Sequence, residues 1–250
     1  MLFRSLKNKV CIITGAGKGF GRDVAKEFYT QGAKLALITR SQNDVDSLIS
    51  EFDNERVLCV CGDVSDANIV SQFVSQAADK FGVIDVLVNN AGMRFRKEFL
   101  EIDENELDQV LSVNLKSIVF LCQEVLPYMI ENNSGKIINM SSIAGTLGFA
   151  NLSGYVMSKA AIVGLTKSLA VEFSDKNIQI NALAPGFCKT SYFENFQENK
   201  KLYDFTLSRT PMNRWGESKE IADVCVFLAS SMSNYMTGEV LKVDGGWSAG

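Results

Sequence analysis

Short runs of aliphatic and β-branched residues alternate with longer stretches in which apolar residues recur every three or four positions. Residues 10–14, 35–39, 57–61, 85–89, 136–140, 178–183 and 240–243 read as strands, most of them apolar throughout rather than alternating. Helical spacing fills the intervals: 19–31, 44–52, a stripe of Ile69, Phe73, Ala77 and Phe81, then 103–129, 153–173 and 217–229. Asp103 followed three residues later by Glu106 has the spacing of a capping box, and this helix must pass Asn114 on its apolar face.

Repeated β-α-β with near-continuous apolar strands predicts a parallel sheet of about seven strands, covered by helices on both faces. Right-handed crossovers make it an α/β, Rossmann-like, doubly wound fold. No Pro/Gly/Ser-rich linker divides the chain, so 1–250 reads as one dinucleotide-binding catalytic domain. The weakly periodic, aromatic-rich stretch 187–210 is the exception, and it is expected to be a substrate-binding lid.

Composition narrows the chemistry. The chain has 250 residues and a formal net charge of −4, so no basic field invites nucleic acid or anionic lipid. It contains no histidine. That removes a Ser-His-Asp triad, a Cys-His dyad and His-ligated zinc together, and no other ligand cluster implies a metal. The six cysteines include no CxxC, and most are expected to be small core residues in a reducing compartment. With no secretory h-region at the start and no uninterrupted apolar run of about 20 residues, a cytoplasmic, membrane-free protein is expected.

Candidate chemistry begins at the first strand–helix junction, Thr14-Gly15-Ala16-Gly17-Lys18-Gly19-Phe20-Gly21. Glycines there permit a tight turn and let backbone N–H groups approach a pyrophosphate at a helix N-terminus. In NAD enzymes an acid ending the second strand accepts the ribose hydroxyls. Here Thr39 holds that place, Arg40 follows, and Lys18 stands in the loop. Two cations and no carboxylate suit a 2′-phosphate, so NADP(H) is expected to be preferred, with NAD(H) possible.

Tyr155 and Lys159, at i and i+4, share one helix face. A phenol titrates near 10, too high for proton transfer at neutrality, and a nearby ammonium is expected to lower it. That supplies the proton donor a chain without histidine needs. Ser142 closes the fifth strand, and Asn89-Asn90-Ala91-Gly92 closes the fourth on the same edge, where open α/β sheets bind ligands.

With these motifs assembled, the chain resembles the short-chain dehydrogenase/reductase family over nearly its whole length. The matching features are the Thr14–Gly21 loop, Asp63-Val64, Asn89–Gly92, Asn114, Ser142, Tyr155 with Lys159, and Pro185-Gly186. Ser142, rather than Ser141, has the family's spacing from Tyr155. The resemblance implies that Ser142 polarises a substrate carbonyl and Tyr155 protonates it. It implies that Lys159 binds the nicotinamide ribose and that Asn114 holds a relay water. Asp63 and Val64 would meet the adenine, and Asn90, Ala91 and Gly92 would border the ribose. Pro185, Gly186, Phe187 and Thr190 would place the carboxamide. Arg94, Arg96, Leu147 and Tyr192 are expected at the substrate, the two arginines pairing a carboxylate or phosphate.

The C-terminal stretch is similar to sugar, polyol and sugar-acid dehydrogenases, the leading expectation, and to 3-oxoacyl-acyl-carrier-protein reductases, the alternative. A non-catalytic NADP(H)-sensing protein is the alternative of another class. The substrate is expected to be a small carbonyl or alcohol. The resemblance further implies a homotetramer paired through the 103–129 and 153–173 helices.

Overall fold

In the computed structural model, residues 5–190 and 193–250 are described. The sheet-forming strands are β1 (Val10–Thr14), β2 (Lys34–Thr39), β3 (Val57–Cys61), β4 (Val86–Asn89), β5 (Gly135–Met140), β6 (Ile178–Pro185) and, last in the chain, β9 (Val240–Val243). They form one parallel sheet in the order β3-β2-β1-β4-β5-β6-β9. The order reverses between β1 and β4, and at that switch point the carboxyl ends of the strands open a crevice.

Both faces of the sheet are apolar because both are covered. Cys11 and Ile13 of β1 point to one side, where they meet Val24 and Phe28 of α1 (Gly19–Thr30) and Ile221 and Cys225 of α9 (Ser218–Ala229). Ile12 points to the other side, toward Phe73 of α3 (Ala67–Phe81), Leu121 of α5 (Ser117–Glu131) and Ile162 of α6 (Ser153–Phe173). Burying a side chain such as Phe28 or Phe73, both fully enclosed, contributes about 1.5–3 kcal/mol. The short helix α2 (Gln42–Glu51) is capped by Ser41, whose Oγ accepts from the Asp44 N–H.

Two expectations change. The helix foreseen over 103–129 is not continuous. The Asp103–Glu106 capping box starts α4 (Glu104–Leu111) as expected, but Ser112–Lys116 forms a π-turn before α5 resumes. Asn114 lies inside that turn. Glu104–Glu131 as a whole is long and apolar enough to cross a membrane by length and composition, but half of its most apolar window is buried in the fold.

The second change is in 187–210, which carries its own structure. It holds β7 (Cys188–Lys189), α7 (Phe193–Gln197) and α8 (Lys200–Arg209), and β7 pairs with β8 (Gly216–Glu217). Its aromatic residues gather on two indoles. Trp215 has the rings of Phe193, Phe196 and Tyr203 within 6 Å, and its Nε1 donates to Thr206 Oγ1 at 2.8 Å. Trp247 meets Phe187 at 4.7 Å and Phe205 at 6.2 Å.

Candidate active site

β1 and β4 are sewn together at their carboxyl ends. Buried Thr14 Oγ1 accepts the N–H groups of Asn90 (3.0 Å) and Ala91 (2.9 Å), and Asn90 Nδ2 donates to the carbonyls of Thr14 (2.8 Å) and Gly15 (3.2 Å). This clasp fixes the glycine loop to the rim of the switch point.

Within the loop, Gly15 and Gly19 have φ of +64° and +57°, left-handed values that a side chain would strain. At Gly17 a Cβ would come within 2.5 Å of Asp44 Oδ2, and at Gly21 it would overlap the Gly15 carbonyl oxygen. No side chain caps α1, and no acid stands in its first turn. The first N–H groups of α1 therefore keep their positive character toward the loop, which fits a dinucleotide pyrophosphate.

The crevice is a cleft of about 470 Å³. Gly15, Gly17, Lys18, Gly19, Phe20, Thr39, Arg40, Asp63 and Val64 line the half beside the glycine loop. Asn90, Ala91, Gly92, Pro185, Gly186, Phe187 and Thr190 line its middle. Arg94, Arg96, Ser142, Tyr155 and Lys159 converge on the far half. Gly21 stays buried against Gly15 instead of facing the cleft. Leu147 does not line it; its place is taken by Phe149 and Leu152. Tyr192 lies outside the described residues.

The far half is ordered by hydrogen bonds. Lys159, 5% exposed, donates from Nζ to the Met140 carbonyl at 2.7 Å, and burial pushes its ammonium down to about 8. Nζ lies 5.6 Å from the centre of the Tyr155 ring. Burial raises the phenol above its usual range, and a hydrogen bond with Ser142 and the charge of Arg94 pull it back. The lysine was expected to do that lowering; instead Ser142 and Arg94 supply it, and Lys159 commits one of its three donors to Met140.

The neighbouring serines both line the cleft but differ in their bonds: buried Ser141 donates to the Lys159 carbonyl at 3.0 Å, whereas Ser142 Oγ accepts from Ala144 N–H at 3.1 Å. Asn114 is fully buried behind Met93. Its Oδ1 accepts Met93 N–H at 2.8 Å, and its Nδ2 donates to Met93 O at 2.9 Å and Ser158 Oγ at 3.0 Å. Both amide hydrogens are thus engaged in positioning, while Oδ1 accepts one bond and keeps its second lone pair.

Sequence reasoning missed Trp215 and Cys188 in the cleft wall, and Asp44 at its nucleotide end. The expectation of cations without a carboxylate there is corrected. Asp44 Oδ2 lies 3.4 Å from Thr39 Oγ1, and Arg40 is 3.8 Å from Asp63 Oδ2. Asp44 is brought to Thr39 by the first turn of α2, which no strand-end rule anticipates.

A family profile described as Enoyl-(Acyl carrier protein) reductase matches residues 15–248. A 3-oxoacyl-[acyl-carrier-protein] reductase of Thermotoga maritima is 39% identical over 96% of this chain and 98% of its own. A gluconate 5-dehydrogenase of Gluconobacter oxydans is 34% identical over 97% and 95%. The structure of a gluconate 5-dehydrogenase from Burkholderia cenocepacia, in complex with NADP and tartrate, superposes with a TM-score of 0.93 at 30% identity, covering 100% of this chain and 99% of that one. The glycine cradle, the clasped switch point and these likenesses agree: the chain belongs to the short-chain dehydrogenase/reductase family and is an NAD(P)-dependent oxidoreductase.

Proposed function

We propose that the protein interconverts a carbonyl and a secondary alcohol of a sugar, polyol or sugar acid, with NADP(H) preferred. The observation that carries this is the convergence of Ser142, Tyr155 and Lys159 beside a glycine cradle fitted to a dinucleotide. Arg94 and Arg96 both line the far half of the cleft, which favours an anionic substrate. Ser142 holds the substrate oxygen and Tyr155 Oη delivers the proton to it. Lys159, held by Met140, binds the nicotinamide ribose, and Asn114 fixes the turn behind them. The dinucleotide, when bound, supplies the hydride. Asp63 and Val64 meet the adenine, Asn90 and Gly92 the ribose, and Pro185, Gly186 and Thr190 the carboxamide. Lys18 and Arg40 attract the 2′-phosphate, and the Burkholderia structure holds NADP.

The 39% identity to the Thermotoga reductase favours a second reading, reduction of 3-oxoacyl thioesters on a carrier protein. A panel of keto-sugar acids, ketoses, diketones and acetoacetyl thioesters, each with NADPH, separates the two. Tyr155→Phe is expected to abolish turnover while NADPH still binds. Near-full turnover would refute the proton-donor role, and no turnover by the wild type with any carbonyl would favour the sensing protein.

The helix α6 is apolar nearly all round and exposes Met157 and Val171, and Phe99 and Leu100 stand exposed ahead of α4. These faces support a homotetramer, and a monomer by light scattering at micromolar concentration would exclude it. The six free thiols suit a cytoplasmic enzyme. The segment 187–210, resting on Trp215 and Trp247, serves as the lid of a single catalytic domain.

A further inference from the structure

We infer that Asp44 is a specificity-determining residue of the cofactor site, whose carboxylate holds down the preference for a 2′-phosphorylated dinucleotide so that both NADPH and NADH are accepted. The inference rests on the cofactor reading above and deepens it.

The nucleotide half of the cleft brings two cations and two acids together. Lys18 and Arg40 line it, but so do Asp44 and Asp63. Arg40 is already drawn toward Asp63, 3.8 Å away. Asp44 is placed more closely still. Its Oδ2 lies 3.4 Å from Thr39 Oγ1, at the strand end where dinucleotide folds read the adenosine ribose. It also fills the space beside Gly17, where a Cβ would fall within 2.5 Å of that same oxygen. Among the described residues no cation is ion-paired with Asp44.

The helix geometry sharpens the conflict. Asp44 is the acid in the first turn of α2, and its own N–H is held by Ser41 Oγ at 3.3 Å. The positive end of α2 is therefore already complemented by a carboxylate. A phosphate arriving between Thr39, Ser41 and Lys18 meets that fixed negative charge at short range, whereas a ribose hydroxyl finds in it an acceptor. The same carboxylate opposes one dinucleotide and assists the other.

The test is a fluorescence titration of NADPH and of NADH against wild type, Asp44→Asn and Asp46→Asn. Asparagine keeps the shape of Asp44 and its approach to Thr39. Asp46, an exposed acid of the same helix bonded to Gln42, controls for net charge alone. Asp44→Asn is expected to raise the NADPH/NADH affinity ratio about tenfold, equivalent to about 1.4 kcal/mol. Asp46→Asn should leave the ratio within about twofold, the effect of a distant screened charge. Asp44→Ala should move the ratio in the same direction as the asparagine variant. An unchanged ratio in Asp44→Asn, or an equal rise in Asp46→Asn, overturns the inference. Failure of the wild-type chain to bind either dinucleotide overturns the cofactor reading beneath it.

Discussion

Replacing Asn114 with alanine removes a side chain that the fold uses three times. Its amide accepts Met93 N–H, donates to Met93 O and donates to Ser158 Oγ, at 2.8, 2.9 and 3.0 Å. At about 1 kcal/mol net per hydrogen bond, the loss is about 3 kcal/mol. Met93 is only partly buried, so water recovers some of it, and about 2 kcal/mol is the lower bound. A second effect follows from the π-turn. Alanine is the strongest helix former, so Ser112–Lys116 gains reason to relax toward α register, displacing Val113 from the cleft wall. Stability and nucleotide affinity should therefore fall together. Urea unfolding reads the first and dinucleotide titration the second, while hydrogen exchange at the Met93 amide reports the lost acceptor directly. Asn114→Asp, which can still accept from Met93 but cannot donate, should fall between. A stability loss below about 0.5 kcal/mol, with the Met93 amide still exchanging at the wild-type rate, would refute the reasoning.

Other outcomes follow from the same geometry. Lys159 is held near 8 by burial, against 10.5 as its ordinary value, so the folded state binds fewer protons than the unfolded chain between those limits. Below pH 8 the whole penalty, about 3 kcal/mol, is present, and it fades as pH rises toward 10.5. Lys159→Met, which also loses the Met140 bond, should gain about 2 kcal/mol at pH 7 in urea unfolding, with the gain narrowing at higher pH. A less stable variant at pH 7 would contradict this. Gly21→Ala sets a Cβ against the Gly15 carbonyl, so it should cost about 1–3 kcal/mol and weaken dinucleotide binding, and a neutral result would mean the loop can shift freely. Arg40→Ala should lower the NADPH/NADH affinity ratio, as read by the same titration; an unchanged ratio would remove Arg40 from phosphate recognition.

What could be read from the chain, and what could not, divides along physical lines. The strands were legible because they are short runs dominated by aliphatic residues, on both faces in β1, and the Asp103–Glu106 box marked its helix start correctly. The cleft-lining glycines, Arg40 and Ser142 follow from where strand ends must lie in such a sheet, and Tyr155 from its i, i+4 spacing with Lys159 on α6. The π-turn was invisible because one extra residue in a turn leaves the apolar spacing of 103–129 almost unchanged. Leu147 was misplaced because an aromatic or aliphatic residue after a strand does not reveal which way its loop points. The elements α7 and α8 were missed because their aromatics pack on Trp215 and Trp247, which belong to other parts of the chain, so no single helix shows a clean stripe.

The sequence contains two tryptophans, and both are hubs of the rings contributed by 187–210. The chain thus carries its own optical gauge. Any unseating of that segment would re-solvate an indole and shift emission colour and intensity in the unlabelled enzyme, so rapid mixing with a ligand reads directly whether it moves.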